Sequence, residues 1–539
     1  MSAARVLDST VERVNWEKII VGLRDRFHGA VSIVESGVVG SVLCEHLPGL
    51  PALCHFLFWE AGCSFGGLIV EEQKSQWDIH YLFLAPQTGW VEVLVKLPLE
   101  VTSIPSISAE VHAADWHERE AEDLFGLQFE KHPRLGDFIL HDQTWAEGLA
   151  PFRKHFDITK VHANGQMNVD WRPLLVVRDP GAFAMPVGPI YEGGIGESVH
   201  FMLETVGEDV LRAVPRLFFN FRGVEKIAEG KNISNALLLA ERFAAKSSFA
   251  HSWAFCNAVE RLCGVAIPSR AGRLRVILGE LERLRHHTGA ITGICESTAL
   301  TVSASQAAII EERLLRTSCS FAGHRYLFGL NTPGGLRRDF TKQEFDDLLS
   351  GISEATDQLH LLEERLSFTS SFLDRLEEVG AIDPKSARDL NLLGPVGRAS
   401  GRCHDLRREC AYGGYEELDF DIPRETEGDG YARLRILFQE AYQSARLIRQ
   451  TINRLEQGPV RVACRPEHAG CALGWVEAPI GAAVHWIRLD NSGLVERYRV
   501  ITPSFNNWMG FHAAVEDFAF QDFPIILATF GLSATECDR

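Results

Sequence analysis

The sequence predicts an α+β N-terminal domain, an antiparallel sheet with helices, followed by a mainly α-helical bundle domain with small β elements. Two patterns carry this prediction. Between residues 19 and 98, short apolar stretches alternate with turn signals at the period of strands. From about Leu203 onward, long segments carry apolar residues at three- and four-residue spacing, the period of a helix face.

Taken in order, AVSIVESG, SFGGLIVEE, WDIHYLFLAP and WVEVLVKLP read as strands and hairpins. A helical stretch through 108 to 125 follows. Residues 131 to 156 are rich in His, Pro, Asp and Gly without a clear period and read as an extended arm. The expected organisation is a domain over 1–140, a linker over 141–180 and a second domain over 181–539. In the second domain the helical segments are LLLAERFAAKSSFAHSWAFCNAVERLCG, SRAGRLRVILGELERLRHHTGAIT, TVSASQAAIIEERLLRTSCSFAG and FDDLLSGISEATDQLHLLEERLSFTSSFLDRLEEVG. The tail APIGAAVHWIRLDNSGLVERYRVITPSF returns to strand text, with Asn491, Ser492 and Gly493 as a hairpin turn. Gly334/Gly335 and Gly413/Gly414 mark turns. His286 and His287 project about 100° apart on one helix and read as caps or surface decoration rather than metal ligands.

The 539 residues make three or four domain-sized pieces at about 150 residues each, and two large domains fit as well. With 46% hydrophobic and 23% charged residues, a disordered or fibrous chain is excluded. The 54 Lys+Arg against 72 Asp+Glu give a net charge of −18, which disfavours nucleic acid as a partner. The N-terminal text makes a poor secretory signal, and no window approaches 18 apolar residues, so a cytoplasmic chain without a membrane span is expected. The 12 cysteines include no C-x-x-C pair and read as small buried apolar residues. No G-x-G-x-x-G helix start occurs, so NAD is not expected to bind this chain.

The first specific motif lies in residues 116 to 129, where Glu118-Arg119-Glu120 precedes Asp123-Leu124-Phe125-Gly126-Leu127-Gln128-Phe129, with His132-Pro133-Arg134-Leu135 and Ile139-Leu140 beyond. From composition alone it reads as a solvated helix face with a glycine C-cap. Its spacing, E-R-E, D-x-x-G-x-x-F and H-P-x-L, resembles the signature of the 30-kDa subunit of respiratory complex I.

The second half resembles the large subunit of group 4 nickel–iron hydrogenases, and its relative the 49-kDa subunit of complex I. The matching text is Pro186-Val187-Gly188-Pro189-Ile190 with Glu197 and His200-Phe201, then Phe221-Arg222-Gly223-Val224-Glu225-Lys226. Ala250-His251-Ser252-Trp253, Pro268-Ser269-Arg270-Ala271 and Glu280-Leu281-Glu282-Arg283 follow. Arg497-Tyr498-Arg499-Val500, Thr502-Pro503-Ser504-Phe505 and Asn507-Trp508 complete it. The order of the two resemblances is that of the fused large subunit of formate hydrogenlyase-type complexes.

The resemblance implies a hydrogenase large-subunit type of fold and, in relatives, four thiolates around nickel, supplied as R-x-C-G-x-C and D-P-C-x-x-C. Here the first motif reads Arg242-Phe243-Ala244-Ala245-Lys246-Ser247. The second maps to Leu532-Ser533-Ala534-Thr535-Glu536-Cys537. Ala244, Ser247 and Ala534 are therefore vacated ligand positions and Cys537 the one candidate survivor. Lys246 makes the pocket less hospitable to a dication, so no metal is expected.

In the complex I relatives a His after G-P-x and a Tyr on the following helix contact quinone. Tyr191 holds the first place and Ala245 falls near the second. Tyr191 with His200, His251 or Lys246 forms a candidate quinone headgroup site, and ordinary satisfied polar residues around a remnant cavity are the alternative. Arg242, Arg270 and Arg283 are candidates to line the old cavity.

The implied function is a subunit of a membrane-associated oxidoreductase of the energy-converting hydrogenase-related kind, peripheral on the inner face of the cytoplasmic membrane. Its partners would be an iron–sulfur small subunit and antiporter-like integral membrane subunits. The rivals are a non-catalytic coupling subunit of the same complex and an active group 4 hydrogenase with atypical ligands.

Overall fold

The computed structural model describes residues 9–34, 40–85, 88–133, 138–141, 149–157, 159, 176–191 and 198–539, with only the backbone of residues 9–15, 17, 190 and 191. Most of the expected linker, 141–180, lies outside the described residues, as do Arg134, Leu135 and Glu197. The chain divides into two compact units, Met1–Leu174 with Asp389–Asn391, and Leu175–Arg388 with Leu392–Arg539.

The first unit begins with α1 (Ser9–Arg26), β1 (Val31–Val34), β2 (Gly40–Cys44) and α2 (Leu50–His55). It continues through β3 (Ser64–Glu72), β4 (Gln76–Ala85), β5 (Gly89–Pro98), β6 (Ser103–Pro105), α3 (Asp115–Phe125) and β7 (Gln128–Glu130). Its five-stranded sheet has the order β1-β2-β5-β4-β3. The expected antiparallel sheet is present with one difference, since β2 and β5 run parallel. The crossover through α2, β3 and β4 returns the chain to β2 in the same direction.

Helix α3 departs from the solvated face that composition suggests: Asp115, His117, Glu118 and Glu120 are all buried. Their partners explain why. The Glu118 carboxylate accepts hydrogen bonds from Ser106 Oγ (2.5 Å), Ser108 Oγ (2.6 Å) and the Ile107 N–H (2.9 Å). Burial nevertheless pushes its pKa up to about 7. Asp123 Oδ2 accepts from the N–H groups of Phe138 (3.0 Å), Ile139 (2.5 Å) and Leu140 (2.8 Å), tying the arm to the helix. Gly126 ends the helix at φ 71°, a left-handed cap that glycine adopts without strain.

The second unit opens with strands β8 (Phe183–Tyr191), β9 (Ser198–Val206) and β10 (Asp209–Arg216). Helices α4 (Val224–Ala228), α5 (Ile233–Arg242), α6 (Ser248–Leu262), α7 (Ser269–Ser297) and α8 (Thr301–Ala322) follow. After strands β11 (Asn331–Thr332) and β12 (Gly335–Leu336) comes α9 (Lys342–Ser367), begun by a Thr341/Glu344 capping box. Short helices α10 (Ser370–Leu373), α11 (Pro384–Asp389), α12 (Gly394–Ala399) and α13 (Leu406–Glu409) lead to the long α14 (Gly430–Asn453). The tail holds β13 (Gly470–Ala478), β14 (Gly481–Leu489), β15 (Val495–Ile501), α15 (Pro503–Ala514), β16 (Phe518–Ala519), α16 (Phe523–Phe530) and α17 (Ala534–Cys537).

Helix α7 is the bundle's centre, packed by α14, α8 and α16. This is why His286 and His287 are both buried rather than decorating a surface. The antiparallel sheet β13-β14-β15 carries α6 on one face. The close approach needs Gly474, where a Cβ would stand 2.1 Å from the Ala254 carbonyl oxygen. Gly474 pairs across strands with His485, so the approach that glycine permits also brings α6 over that histidine.

Candidate functional site

Helix α5 ends at Arg242, Ala244 is extended, and a tight turn over Ala245–Ser247 leads into α6. The first N–H groups of α6 lack partners within the helix. Glu282 on α7 supplies them, accepting from Phe249 (2.7 Å) and Ala250 (3.0 Å). Burial pushes Glu282 up to about 7, and its backbone and arginine contacts offset this only in part. Just before α6, the Ser247 hydroxyl donates to Glu536 Oε1.

Glu536 sits on α17, where Ser533 caps the helix by accepting from the Glu536 N–H. Two arginine contacts hold this short helix in place. Arg222 donates from Nε to the Asp538 carbonyl (3.0 Å) and from Nη2 to the Thr535 carbonyl (2.7 Å). Glu225 faces Arg497, Arg499 and Arg539 at 3.2–3.3 Å and accepts from the Val500 N–H at 3.0 Å.

From Glu536 a buried polar chain runs inward. His251 Nε2 lies 3.6 Å from Glu536 Oε1, His251 Nδ1 is 3.0 Å from His485 Nε2, and His485 Nδ1 is 2.8 Å from the Tyr498 hydroxyl. His251, His485 and Tyr498 are fully buried. One tautomer set suits every contact. Tyr498 O–H donates to His485 Nδ1, His485 Nε2–H donates to His251 Nδ1, and the remaining His251 N–H faces the carboxylate. Burial would raise the Glu536 pKa, but its His251 and Ser247 contacts outweigh that and hold it below the ordinary value. Burial, with His251 adjacent, holds His485 well below its usual range, hence neutral. The arrangement can accept a proton at Glu536 or His251 and pass the change along the imidazoles.

Ala534 and Cys537 are buried on α17, and the Cys537 thiol lies 3.7 Å from the Ser533 carbonyl. Ser247 with Glu536 thus joins the two segments that the sequence resemblance aligns with the thiolate motifs of hydrogenases. The donors present are a hydroxyl, a carboxylate, an imidazole and one thiol, a set that does not fit a four-thiolate nickel site. Among the described residues, no three His, Cys, Asp or Glu side chains gather in a metal-binding arrangement.

The other candidates are dispersed. Ala245, Lys246 and Arg242 are exposed; the Lys246 carbonyl accepts from Arg285, and Arg242 lies over the Phe328 ring at 5.8 Å. His200 is half-buried on β9, its pKa lowered by burial and by Arg216. Tyr191 ends β8, and its ring lies outside the described residues. Arg270 grips Asp339. His485 was not singled out from sequence, and Glu536 and Tyr498 stood inside matched motifs without a role assigned to them.

Arg283 belongs to a second buried assembly. It donates to the carbonyls of Glu477 (2.6 Å) and Ala478 (3.1 Å) and lies 3.4 Å from Glu280 and 3.6 Å from Glu440. Arg398 bonds Glu440 (2.6 Å) and Glu477 (3.0 Å). Arg407 bonds Asp405 (2.7 Å) and Glu280 (3.0 Å), and His287 bonds Glu440 (2.9 Å). Burial and Asp405 push Glu477 up to about 7, whereas the arginines override burial to keep Glu280, Asp405 and Glu440 low.

The family described as respiratory-chain NADH dehydrogenase, 30 Kd subunit, matches residues 48–162, and the 49 Kd subunit family matches residues 302–471. Formate hydrogenlyase subunit 5 of Escherichia coli (strain K12) is 28% identical over 501 residues, covering 91% of this chain and 87% of that protein. Hydrogenase-4 component G of the same organism is 27% identical over 533 residues, covering 97% and 92%. The C/D polypeptide of NADH-quinone oxidoreductase from Bdellovibrio bacteriovorus is 28% identical over 506 residues, covering 87% and 89%. The chain therefore joins, in one polypeptide, a domain of the complex I 30-kDa subunit family to a domain of the 49-kDa subunit family, and it is related to hydrogenase subunits of the same build.

Proposed function

We propose that this chain is the fused peripheral subunit of a membrane-associated, energy-converting oxidoreductase whose nickel chemistry has been replaced by proton-exchanging side chains. The observation that carries this reading is the contact of Ser247 with Glu536. Under this reading the oxygen and nitrogen donors of Ser247, Glu536 and His251 take the place of the soft thiolates that nickel catalysis needs. In this reading electrons arrive from an iron–sulfur cluster in a partner small subunit, and antiporter-like membrane subunits couple their flow to ion translocation. Among the described residues no helix is long and apolar enough to cross a membrane, which suits a peripheral place on the inner face of the cytoplasmic membrane.

Quinone is the acceptor this reading favours, since relatives include polypeptides of NADH-quinone oxidoreductase. Bound quinone supplies a two-electron, two-proton acceptor. The chain's own residues hold and move protons: Glu536 and His251 exchange them, and His485 with Tyr498 fixes the tautomer of His251. A coupling subunit without catalysis is the second reading, favoured by the exposure of Arg242 and Lys246.

The test is elemental analysis for nickel and iron on the intact complex, purified through a tag on this subunit. Iron without nickel is expected. Stoichiometric nickel would overturn the proposal and point to a hydrogenase with atypical ligands.

A further inference from the structure

A polar residue at the start of a helix ordinarily turns its side chain onto its own backbone, where its oxygen accepts from the N–H of the second or third helical residue. Asn232 before α5, Thr502 before α15 and Ser533 before α17 do this, each from an extended backbone. Ser247, the N-cap of α6, does not. It makes no capping bond, its backbone sits at φ −129° and ψ 28°, and its hydroxyl donates to Glu536 instead. The N–H groups it would serve, those of Phe249 and Ala250, are taken by Glu282 of α7, one by each carboxylate oxygen, at 2.7 and 3.0 Å. The Ser248 hydroxyl is engaged elsewhere, donating to the Tyr326 carbonyl at 2.6 Å. Nearly one turn along α7, Arg285 donates to the Lys246 carbonyl and lies over the Tyr326 ring at 5.3 Å, with Glu311 4.0 Å away. Residues three apart share a helix face. Helix α7 thus holds the backbone on both sides of Ser247, a carbonyl before it and two N–H groups after it.

We propose that Glu282 is a positioning residue of the site: by capping α6 in place of Ser247, it releases the Ser247 hydroxyl to Glu536, while Arg285 holds the peptide on the other side. The cause is competition for one hydroxyl. Phe249 and Ala250 are buried, and a buried N–H group needs an acceptor. Without Glu282, the oxygen that chain order places to serve them is that of Ser247, once its backbone returns to the extended form of an ordinary cap. Glu536 would then keep His251 at 3.6 Å and the Ser504 N–H at 3.4 Å but lose its Ser247 donor.

Any effect of this exchange on turnover rests on the proposed proton exchange at Glu536; the exchange of caps itself does not. The hydrogen bonds of Glu282 go to α6, whereas Glu536 sits on α17. Helix α17 therefore reports on the Ser247 contact from the side that Glu282 does not bond. A merely structural Glu282 would, when removed, loosen residues 247–251 and leave α17 as it is.

The test is hydrogen–deuterium exchange by mass spectrometry on the intact complex, read in the peptide that holds residues 532–538. Ser247→Ala should raise exchange there about fivefold, the factor that one hydrogen bond is worth. Glu282→Ala should raise it equally, and the double variant should match Ser247→Ala, since the hydroxyl is lost only once. In Glu282→Gln, whose amide oxygen serves one N–H group, the rise should be smaller. Unchanged exchange in this peptide for Glu282→Ala, a rise that adds to that of Ser247→Ala in the double variant, or no rise in Ser247→Ala itself would overturn the proposal. If Glu282→Ala does not assemble, Glu282→Gln decides, and no rise there overturns it. In turnover, the single variants Ser247→Ala and Glu282→Ala should move the acidic limb of the pH profile to higher pH, because burial raises Glu536 and the Ser247 hydroxyl is one of the contacts that oppose it. Unchanged turnover in Glu536→Gln would overturn the proton-exchange reading alone, and exchange at α17 would still decide the role of Glu282.

Discussion

Two buried polar assemblies in the helical unit differ in how they settle charge. Around Glu280, Arg283, Arg398, Asp405, Arg407, Glu440 and Glu477, each guanidinium meets carboxylates, and removing one ion strands another. From Ser247 to Tyr498, one carboxylate is followed by imidazoles and a phenol. The first arrangement is saturated and holds helices together. The second keeps one charge at its end and donors that can reverse direction, which suits proton exchange. Burying charge thus serves architecture in one place and, under the proposed function, proton exchange in the other, and the number of opposing ions separates the two.

The contrast can be broken experimentally, beginning with the largest effect. Arg407→Met leaves Glu280 and Asp405 short of a counter-ion and should cost about 3–5 kcal/mol, read from the urea midpoint of the full chain. A loss below about 1 kcal/mol would mean the cluster is not saturated.

The N-terminal unit offers a third case, His80 between Glu71 (3.1 Å) and Glu92. Burial disfavours its charge, but the two carboxylates override this and raise it to about 9. Above its unfolded value near 6.5, a raised histidine stabilises the fold fully below pH 6.5 and loses that contribution as pH climbs through 9. His80→Gln should therefore cost about 3 kcal/mol at pH 6 and much less at pH 9.5, measured as Tm against pH. A deficit independent of pH would refute the charged pair.

Smaller in stability, Glu536→Gln should cost about 1–2 kcal/mol while the complex still assembles. Electron-transfer turnover should fall about 100-fold with a displaced pH profile. Assembly with unchanged turnover would favour the coupling reading. The smallest effect is expected for Glu477→Gln. The folded chain holds the Glu477 proton up to about pH 7, so wild type loses stability from pH 4.5 to 7. The amide should differ from wild type by under about 1 kcal/mol at pH 5 and gain on it above pH 7, again by Tm.

Much of the architecture was legible from periodicity. The four strand segments and the helices α5 to α9 fall where apolar spacing put them, and Gly126 and the 491–493 turn end their elements as glycine chemistry predicts. What periodicity missed was tertiary. Helix α14 lines α7 yet was not singled out, although Leu434, Leu437, Phe438, Ala441 and Ala445 form a helical stripe. The acids of α3 read as surface because composition cannot show the Ser106 and Ser108 hydroxyls that wait for Glu118. At the site, motif register brought Ser247 and Cys537 into view. That Glu536, His485 and Tyr498 join one site stayed hidden, because a glycine-permitted approach of α6 to a sheet more than 200 residues later has no local signature.

The contact of Ser247 with Glu536 spans 289 residues. Loop-closure entropy places such a contact late in folding, after the bundle and the sheet β13-β14-β15 are in place. An incompletely folded chain therefore keeps two halves of the site apart, a hydroxyl on a turn and a carboxylate on a four-residue helix. The site is complete only once the second unit has closed, so the contact itself doubles as a readout of completed folding.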